Sequence, residues 1–301
     1  MLMLPRLLTY LTIGSGASYL TFCLVVFLGQ RQLIYSPTPL LTLSPKHPLF
    51  NMPYQEVNIP VTTKKQDYLH CWHIFAPNPA SKQHIILPEE PANIVSNKTI
   101  LYFTGAGYNK GSYLARMKGF RQLGFSIFTC DYRGYGKSKG GYPKEQQFYD
   151  DARLAWNYLT QDQGIAPQDI IIYGESLGGA VSIELATQEP EVGGVIIQSS
   201  FTSMADTIKQ MGLMRFVPVE MMLTEKFNSL KKVKQIQAPI LFLHGTADEL
   251  VPAYMSEKLY KAATQPKQLF FIPDASHTRL YRSGRNSYLK AMQRFIHSFI
   301  R

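Results

Sequence analysis

A serine hydroxyl becomes a nucleophile when a base removes its proton, and the base works best when a carboxylate orients it. Gly174-Glu175-Ser176-Leu177-Gly178 offers such a serine. The pentapeptide alone is weak, because G-x-S-x-G arises by chance in roughly one chain of this length in ten. Its flanks sharpen it. Ile170 to Tyr173 is a β-branched apolar run of the length of a buried strand, and Ala180 to Gln188 continues with helical character. A strand that turns sharply through a serine into a helix is a nucleophile elbow, whose glycines relieve crowding in a strained turn. The helix N-terminus then sets unpaired N–H groups beside Ser176.

The partners must follow in loops that leave later strands. Leu241 to Leu243 is strand-like and opens into His244-Gly245-Thr246-Ala247-Asp248, which makes Asp248 the candidate acid. Leu269 to Ile272 is the next such run, and Pro273-Asp274-Ala275-Ser276-His277 leaves it, which makes His277 the candidate base. The rivals fit less well. His47, His70, His73 and His84 precede the elbow, His297 falls inside a terminal helix, and His244 is expected to bond within its own loop. Asp274 shares the loop of the base, and Asp206 lies in an insert. Acyl transfer also needs two backbone donors for the oxyanion. Leu177 supplies one, and the glycine-bearing loop Thr104-Gly105-Ala106-Gly107 supplies the other, with Ala106 as the expected donor.

These positions require a scaffold that presents several strand ends together. Six short apolar runs, beginning with Thr99 to Phe103 and ending with Leu269 to Ile272, alternate with helical patterns at Ser112–Gln122, Gln147–Leu159, Leu177–Gln188 and Ala253–Ala262. That alternation predicts an α/β fold with a mostly parallel central sheet flanked by helices. Glu56 to Pro60 and Tyr68 to Phe75 read as an antiparallel pair, and Asn286 to Ile300 as a closing amphipathic helix. Ala76 to Asn97 is a polar, proline-bearing surface excursion. One connection, about 201–237, is too long for a simple crossover and carries Met204, Met211, Met214, Met221 and Met222. Methionines adapt to irregular apolar shapes, so a small helical lid is expected there; plain packing onto the domain is the simpler alternative.

Residues 7–30 contain no charge, with Arg6 and Arg31 at the borders. About twenty apolar residues cross a bilayer as a helix, so an N-terminal transmembrane helix is expected, with a bilayer as partner. A cleaved signal peptide, leaving a secreted protein, is the alternative; the run is long for one and no small-residue cleavage site follows Leu28. The expected organisation is an anchor over 1–31, a proline-punctuated linker over 32–54, and a catalytic domain over 55–301. The net charge of +10 comes without an arginine-rich, aromatic-interleaved run, so nucleic acid is not an expected partner. Three cysteines, Cys23, Cys71 and Cys130, sit in apolar contexts and are expected to be free buried thiols. No cofactor or metal is implied, since no metal-ligand spacing occurs.

From Gln32 to the C-terminus the chain resembles the α/β-hydrolase superfamily, and within it the membrane-anchored serine acyl-hydrolase branch that holds lysophospholipase-like enzymes and protein depalmitoylases. The likeness rests on Asp131-Tyr132-Arg133-Gly134-Tyr135-Gly136, on Gly174 to Gly179, on Ser200-Phe201-Thr202-Ser203-Met204 and on His244 to Pro252. It implies an ester or thioester hydrolase with nucleophile Ser176, acid Asp248, base His277 and oxyanion donors Ala106 and Leu177. One departure stands out: the oxyanion segment opens with Thr104-Gly105, where the family usually has His-Gly. Asp131 and Arg133 are expected to brace the junction between strand and loop. A peptidase of the same fold would need a polar clamp for a substrate amine, with Glu220 and Glu225 as the available hints. A non-catalytic binding protein would be expected to have lost a triad member.

Overall fold

The fold is described from a computed structural model over residues 3–41, 43–61, 66–78, 98–210, 212 and 217–300. A long helix, α1 (Met3–Ile34), leads into an irregular segment and an antiparallel pair, β1 (Tyr54–Pro60) and β2 (Tyr68–Ile74). Then follow β3 (Thr99–Phe103), α2 (Leu114–Gln122), β4 (Ser126–Cys130), α3 (Glu145–Asn157), β5 (Ile170–Glu175), α4 (Leu177–Gln188) and β6 (Gly194–Gln198). Three short helices come next, α5 (Met204–Lys209), α6 (Val219–Met222) and α7 (Ser229–Lys232). The chain closes with β7 (Ile240–Gly245), α8 (Tyr254–Ala262), β8 (Lys267–Ile272), α9 (Leu280–Ser283) and α10 (Arg285–Phe299).

The strands form one eight-stranded sheet in the order β1-β2-β4-β3-β5-β6-β7-β8. Strands β3 to β8 are parallel, and β2 joins β4 antiparallel at one edge. Both faces are covered, which is why the central strands read as unbroken apolar runs. Successive residues alternate between two cores. Leu101, Ile170 and Ile172 pack with Phe148 of α3, Val181 of α4 and Leu259 of α8. Ile100, Ile171 and Tyr173 pack with Met117 and Phe120 of α2 and with Tyr288, Met292 and Phe295 of α10. The amphipathic reading of the last helix therefore holds: its apolar stripe lies on the sheet.

The cysteine expectation needs correction. Cys71 and Cys130 are neighbours across the antiparallel β2–β4 pair and are joined in a disulfide; Cys23 alone is free and buried. The two residues are 59 positions apart, so register, not spacing, brings them together. Of the methionine-rich insert, Met204 is buried and Met222 half-buried, while Met221 points to solvent. Met211 and Met214 lie outside the described residues, as do His84 and most of the surface excursion.

At the N-terminus, Ser15–Ile34 is long and apolar enough to cross a membrane. The segment after it is attached to the domain. Ser36 N–H donates to Ala106 O (3.3 Å), and Thr38 Oγ1 donates to Gly107 O (3.0 Å). Tyr35 is fully buried beside Phe148 and Phe227.

Candidate active site

Ser176 stands at the end of β5 with φ +53°, a left-handed conformation that costs energy for any residue but glycine. Packing holds it there. Its N–H donates to Gln198 O (2.9 Å), and its own carbonyl accepts from Gly179 N–H (3.0 Å) and Ser200 Oγ (2.8 Å). A Cβ on Gly174 would collide with the Gly178 carbonyl, and one on Gly178 with the backbone of Phe103 and Thr104. The flanking glycines thus let three backbone segments meet at the serine.

The loops that carry Asp248 and His277 are stitched to each other. Ala247 N–H donates to Ala275 O (3.2 Å), Thr246 N–H to Ile272 O (3.1 Å) and Asp274 N–H to Thr246 Oγ1 (2.9 Å). This brings His277 Nδ1 to 2.7 Å from Asp248 Oδ2. An ionised carboxylate only accepts, so Nδ1 carries the proton and Nε2 remains an acceptor. The other carboxylate oxygen takes N–H donors from Val251 (2.8 Å) and Leu250 (3.1 Å). Burial opposes the charge on Asp248, but hydrogen bonds from His244, His277 and Val251 outweigh it and hold the carboxyl down at about 2. The carboxylate is therefore ionised wherever the enzyme could work.

His244 is fully buried and bonds as its loop position suggested, with a further contact. Ser256 Oγ donates to its Nδ1 (2.6 Å), so Nε2 holds the proton and shares it between Val251 O (2.7 Å) and Asp248 Oδ2 (3.2 Å). Asp248 thus faces two imidazoles, and only that of His277 borders the cavity beside Ser176.

The loop carrying Ala106 approaches Ser176 closely: a Cβ on Gly105 would lie 3.5 Å from Ser176 Cβ. The loop is clamped from both sides. The carbonyl of Ala106 accepts from Ser36 N–H and Tyr135 O–H (2.8 Å), which fixes the peptide plane that follows it. Asn109 donates to Thr38 O (3.1 Å) and Leu40 O (2.8 Å), and its carbonyl oxygen caps Gly111 N–H (3.1 Å). Lys110 is buried completely, paired with Asp131 and bonded to His70 O (2.9 Å). Arg133 pairs with Asp151 at 2.6 Å. Asp131 and Arg133 hold the strand-to-loop junction, as their positions predicted, and take no place in the cavity.

Sequence reasoning passed over several of these residues. Asn109 and Lys110 followed a glycine-rich loop that drew attention to its backbone. Gln30, which borders the cavity from α1, is the polar end of an otherwise apolar run. Arg116, paired with Glu175 of the elbow and donating to Tyr102 Oη (2.9 Å), carried no local signal at all.

Ser176, Leu177, Ala106 and His277 border one cavity of about 810 Å³. Its wider walls are apolar: Phe201, Met204, Ile208, Val219, Met222 and Leu223 from the insert, and Val26, Phe27, Leu33 and Ile34 from α1. Among the described residues no cluster of three or more His, Cys, Asp or Glu could hold a metal. A serine on a strained elbow and an imidazole bonded to an ionised carboxylate, on one cavity, are the groups that acyl transfer uses.

The family model described as serine aminopeptidase, S33, matches residues 95–231 and 219–281, more than half of the chain. This chain belongs to that family. It is a member of the α/β-hydrolase superfamily. An uncharacterised Mycobacterium tuberculosis protein is 35% identical over 176 residues, 58% of this chain; the match spans 60% of that relative's length. The Arabidopsis thaliana α/β hydrolase domain-containing protein WAV2 is 28% identical over 95% of this chain and 93% of its own. Among solved structures, a Pyrococcus furiosus esterase superposes with a TM-score of 0.67 at 18% identity, over 89% of this chain and 99% of the esterase. At that identity the likeness establishes the α/β-hydrolase fold.

Proposed function

We propose that this protein is a membrane-anchored serine hydrolase that cleaves esters or thioesters of lipid-like, acylated substrates. The observation that carries the reading is that the His277–Asp248 pair brings its imidazole to the same cavity as a serine held at positive φ. Ser176 Oγ attacks the acyl carbon while His277 Nε2 takes its proton, and Asp248 stabilises the resulting imidazolium. The amides of Ala106 and Leu177 receive the oxyanion. Collapse returns the proton from His277 to the departing alkoxide or thiolate and leaves an acyl-enzyme. Water, deprotonated by the same imidazole, then releases the carboxylic acid and restores Ser176. Thr104, in place of the usual histidine, leaves this scheme intact because the donors are backbone groups. The insert 201–237 serves as a lid, since its side chains roof the cavity.

The family's description as an aminopeptidase keeps a peptidase reading in view. The carboxylates that would clamp an amine are engaged elsewhere: Glu220 with Lys209 at the surface, and buried Glu225 with Tyr35 O–H and Glu145 N–H. Neither borders the cavity, and Glu175, which does, is paired with Arg116, which favours esters. A retained anchor is favoured over a cleaved signal peptide, because cleavage after Leu28 would remove Val26 and Phe27 from the cavity wall. The Cys71–Cys130 disulfide supports a catalytic domain on the oxidising side of the membrane.

The test is fluorophosphonate labelling of the detergent-solubilised protein, followed by turnover of acyl-ester, thioester and aminoacyl-amide panels. Labelling lost in Ser176→Ala, with esters or thioesters cleaved and amides spared, is the expected result. Turnover confined to aminoacyl amides would replace this reading with the peptidase.

A further inference from the structure

One face of α1 belongs to the catalytic domain. Cys23 and Gln30 are buried and Val26 and Ile34 half-buried, at spacings of three and four that put them on a single helical stripe. A second stripe of the helix is open: Leu20, Leu24 and Leu28 are 68%, 55% and 69% exposed. The buried stripe reaches the cavity of the nucleophile, where Val26, Phe27, Gln30, Leu33 and Ile34 line the same space as Ser176 and His277.

A glutamine near the end of an apolar span needs a partner, since an unpaired amide in hydrocarbon is costly. Gln30 has one in the insert. Its Oε1 accepts from Thr224 N–H (2.8 Å) and Thr224 Oγ1 (3.0 Å), and its amide nitrogen donates to Phe27 O (2.8 Å). The next residue of the insert, Glu225, accepts from Tyr35 O–H just beyond the helix. Helix and insert are therefore latched to each other across the cavity. The uncharged run 7–30 is longer than the ~20 residues a span requires, so its last turns can stand in the headgroup layer while the rest crosses. Phe27 lines the cavity and is also 40% exposed, which marks it as part of the mouth.

We propose that α1 is a wall of the substrate site as well as an anchor, and that the long acyl chain of a bilayer-resident lipid ester enters the cavity sideways along it, past Phe27 and between Val26 and Met222. A chain entering this way stays in apolar surroundings from bilayer to nucleophile, and its ester carbonyl arrives at the polar end beside Ser176. The cavity is at the large end of the roughly 300–1,000 Å³ usual for small-molecule sites, as a long chain requires. This inference rests on the hydrolase reading for its chemistry but not for its binding geometry.

The experiment uses full-length protein in phosphatidylcholine vesicles that carry a palmitoyl-ester lipid with a diazirine at the chain terminus. In Ser176→Ala, photolysis and peptide mass spectrometry are expected to find adducts on Val26, Gln30 and Met222 in excess over Leu20, Leu24 and Leu28. Adducts confined to the three exposed leucines, as any surrounding lipid would give, overturn the proposal. In otherwise wild-type protein, Val26→Trp should lower the ratio of palmitoyl to butyryl ester kcat/KM by about tenfold or more. An unchanged ratio with the serine still labelled by fluorophosphonate overturns lateral entry and leaves the hydrolase reading standing. Cavity adducts in a wild type that neither labels nor turns over esters would uphold the acyl site and overturn the hydrolase reading.

Discussion

The two sides of the cavity are built by different means. The side that carries the chemistry is made of strand-end loops fixed by backbone hydrogen bonds, positive-φ turns and buried ion pairs. Ser176, Ala247 beside Asp248, and Ala106 each have a peptide group tied to a neighbouring strand end or loop. The opposite side consists of α1 and the short helices α5 and α6, and α1 is held to the insert by the side chains of Gln30, on Thr224, and Tyr35, on Glu225. Backbone pinning holds a reacting constellation to fractions of an ångström, which acyl transfer demands. Side-chain latches over methionine and aliphatic surface let the other wall adapt to its occupant. On the proposed reading activity and selectivity are separable: changes on the first side should remove turnover, and changes on the second should redistribute it.

The largest effect is expected on the first side. Ser176→Ala or His277→Ala should lower kcat by about 10⁴-fold or more, with near-unchanged thermal stability, as read by ester turnover and calorimetry. Asp248→Asn should follow at about 10⁴-fold, because the amide no longer selects the productive imidazole tautomer. The same variant offers a test by pH. Asp248 is held below its ordinary value in the fold, so its ionised form contributes stability above about pH 4 and loses that contribution as the pH falls toward 2. The gap in Tm between wild type and Asp248→Asn should be constant at neutral pH and shrink across that acid window.

Smaller effects should separate the two sides further. Replacing Cys71 and Cys130 with serine should cost about 2–4 kcal/mol in denaturant unfolding, and alkylation with and without reductant would report the bond in the native protein. Tyr35→Phe removes one donor from buried Glu225 and should cost about 1–3 kcal/mol. Its mark should be a changed preference among acyl chain lengths, with short-ester kcat close to that of wild type. A uniform loss across all chain lengths would mean that the two walls are coupled after all.

Much of the first side could be read along the chain. The apolar runs from Thr99 to Ile272 are strands because their residues are β-branched or aromatic and both sheet faces are covered. Gly174 and Gly178 could be foreseen as an elbow because a short-range steric problem has a short-range signature. Asp248 and His277 could be chosen because each follows its strand by only a few residues. The second side was less accessible. Two of the insert's methionines, Met204 and Met222, border the cavity, yet no spacing could show that Phe27 would stand opposite them.

What the sequence determined by itself was therefore local: which segments are strand or helix, where the chain turns sharply, and which residues could act as nucleophile, acid and base. Steric fit and hydrophobic period operate over a few residues, and a few residues record them. Only the tertiary structure decided which distant groups meet. It paired Cys71 with Cys130 through the register of two antiparallel strands, joined Gln30 to Thr224, and buried Lys110 against Asp131. It also laid the N-terminal helix along the site of the nucleophile. Such contacts depend on how whole faces pack, and an apolar residue pays the same burial energy into a bilayer, a core or a cavity wall.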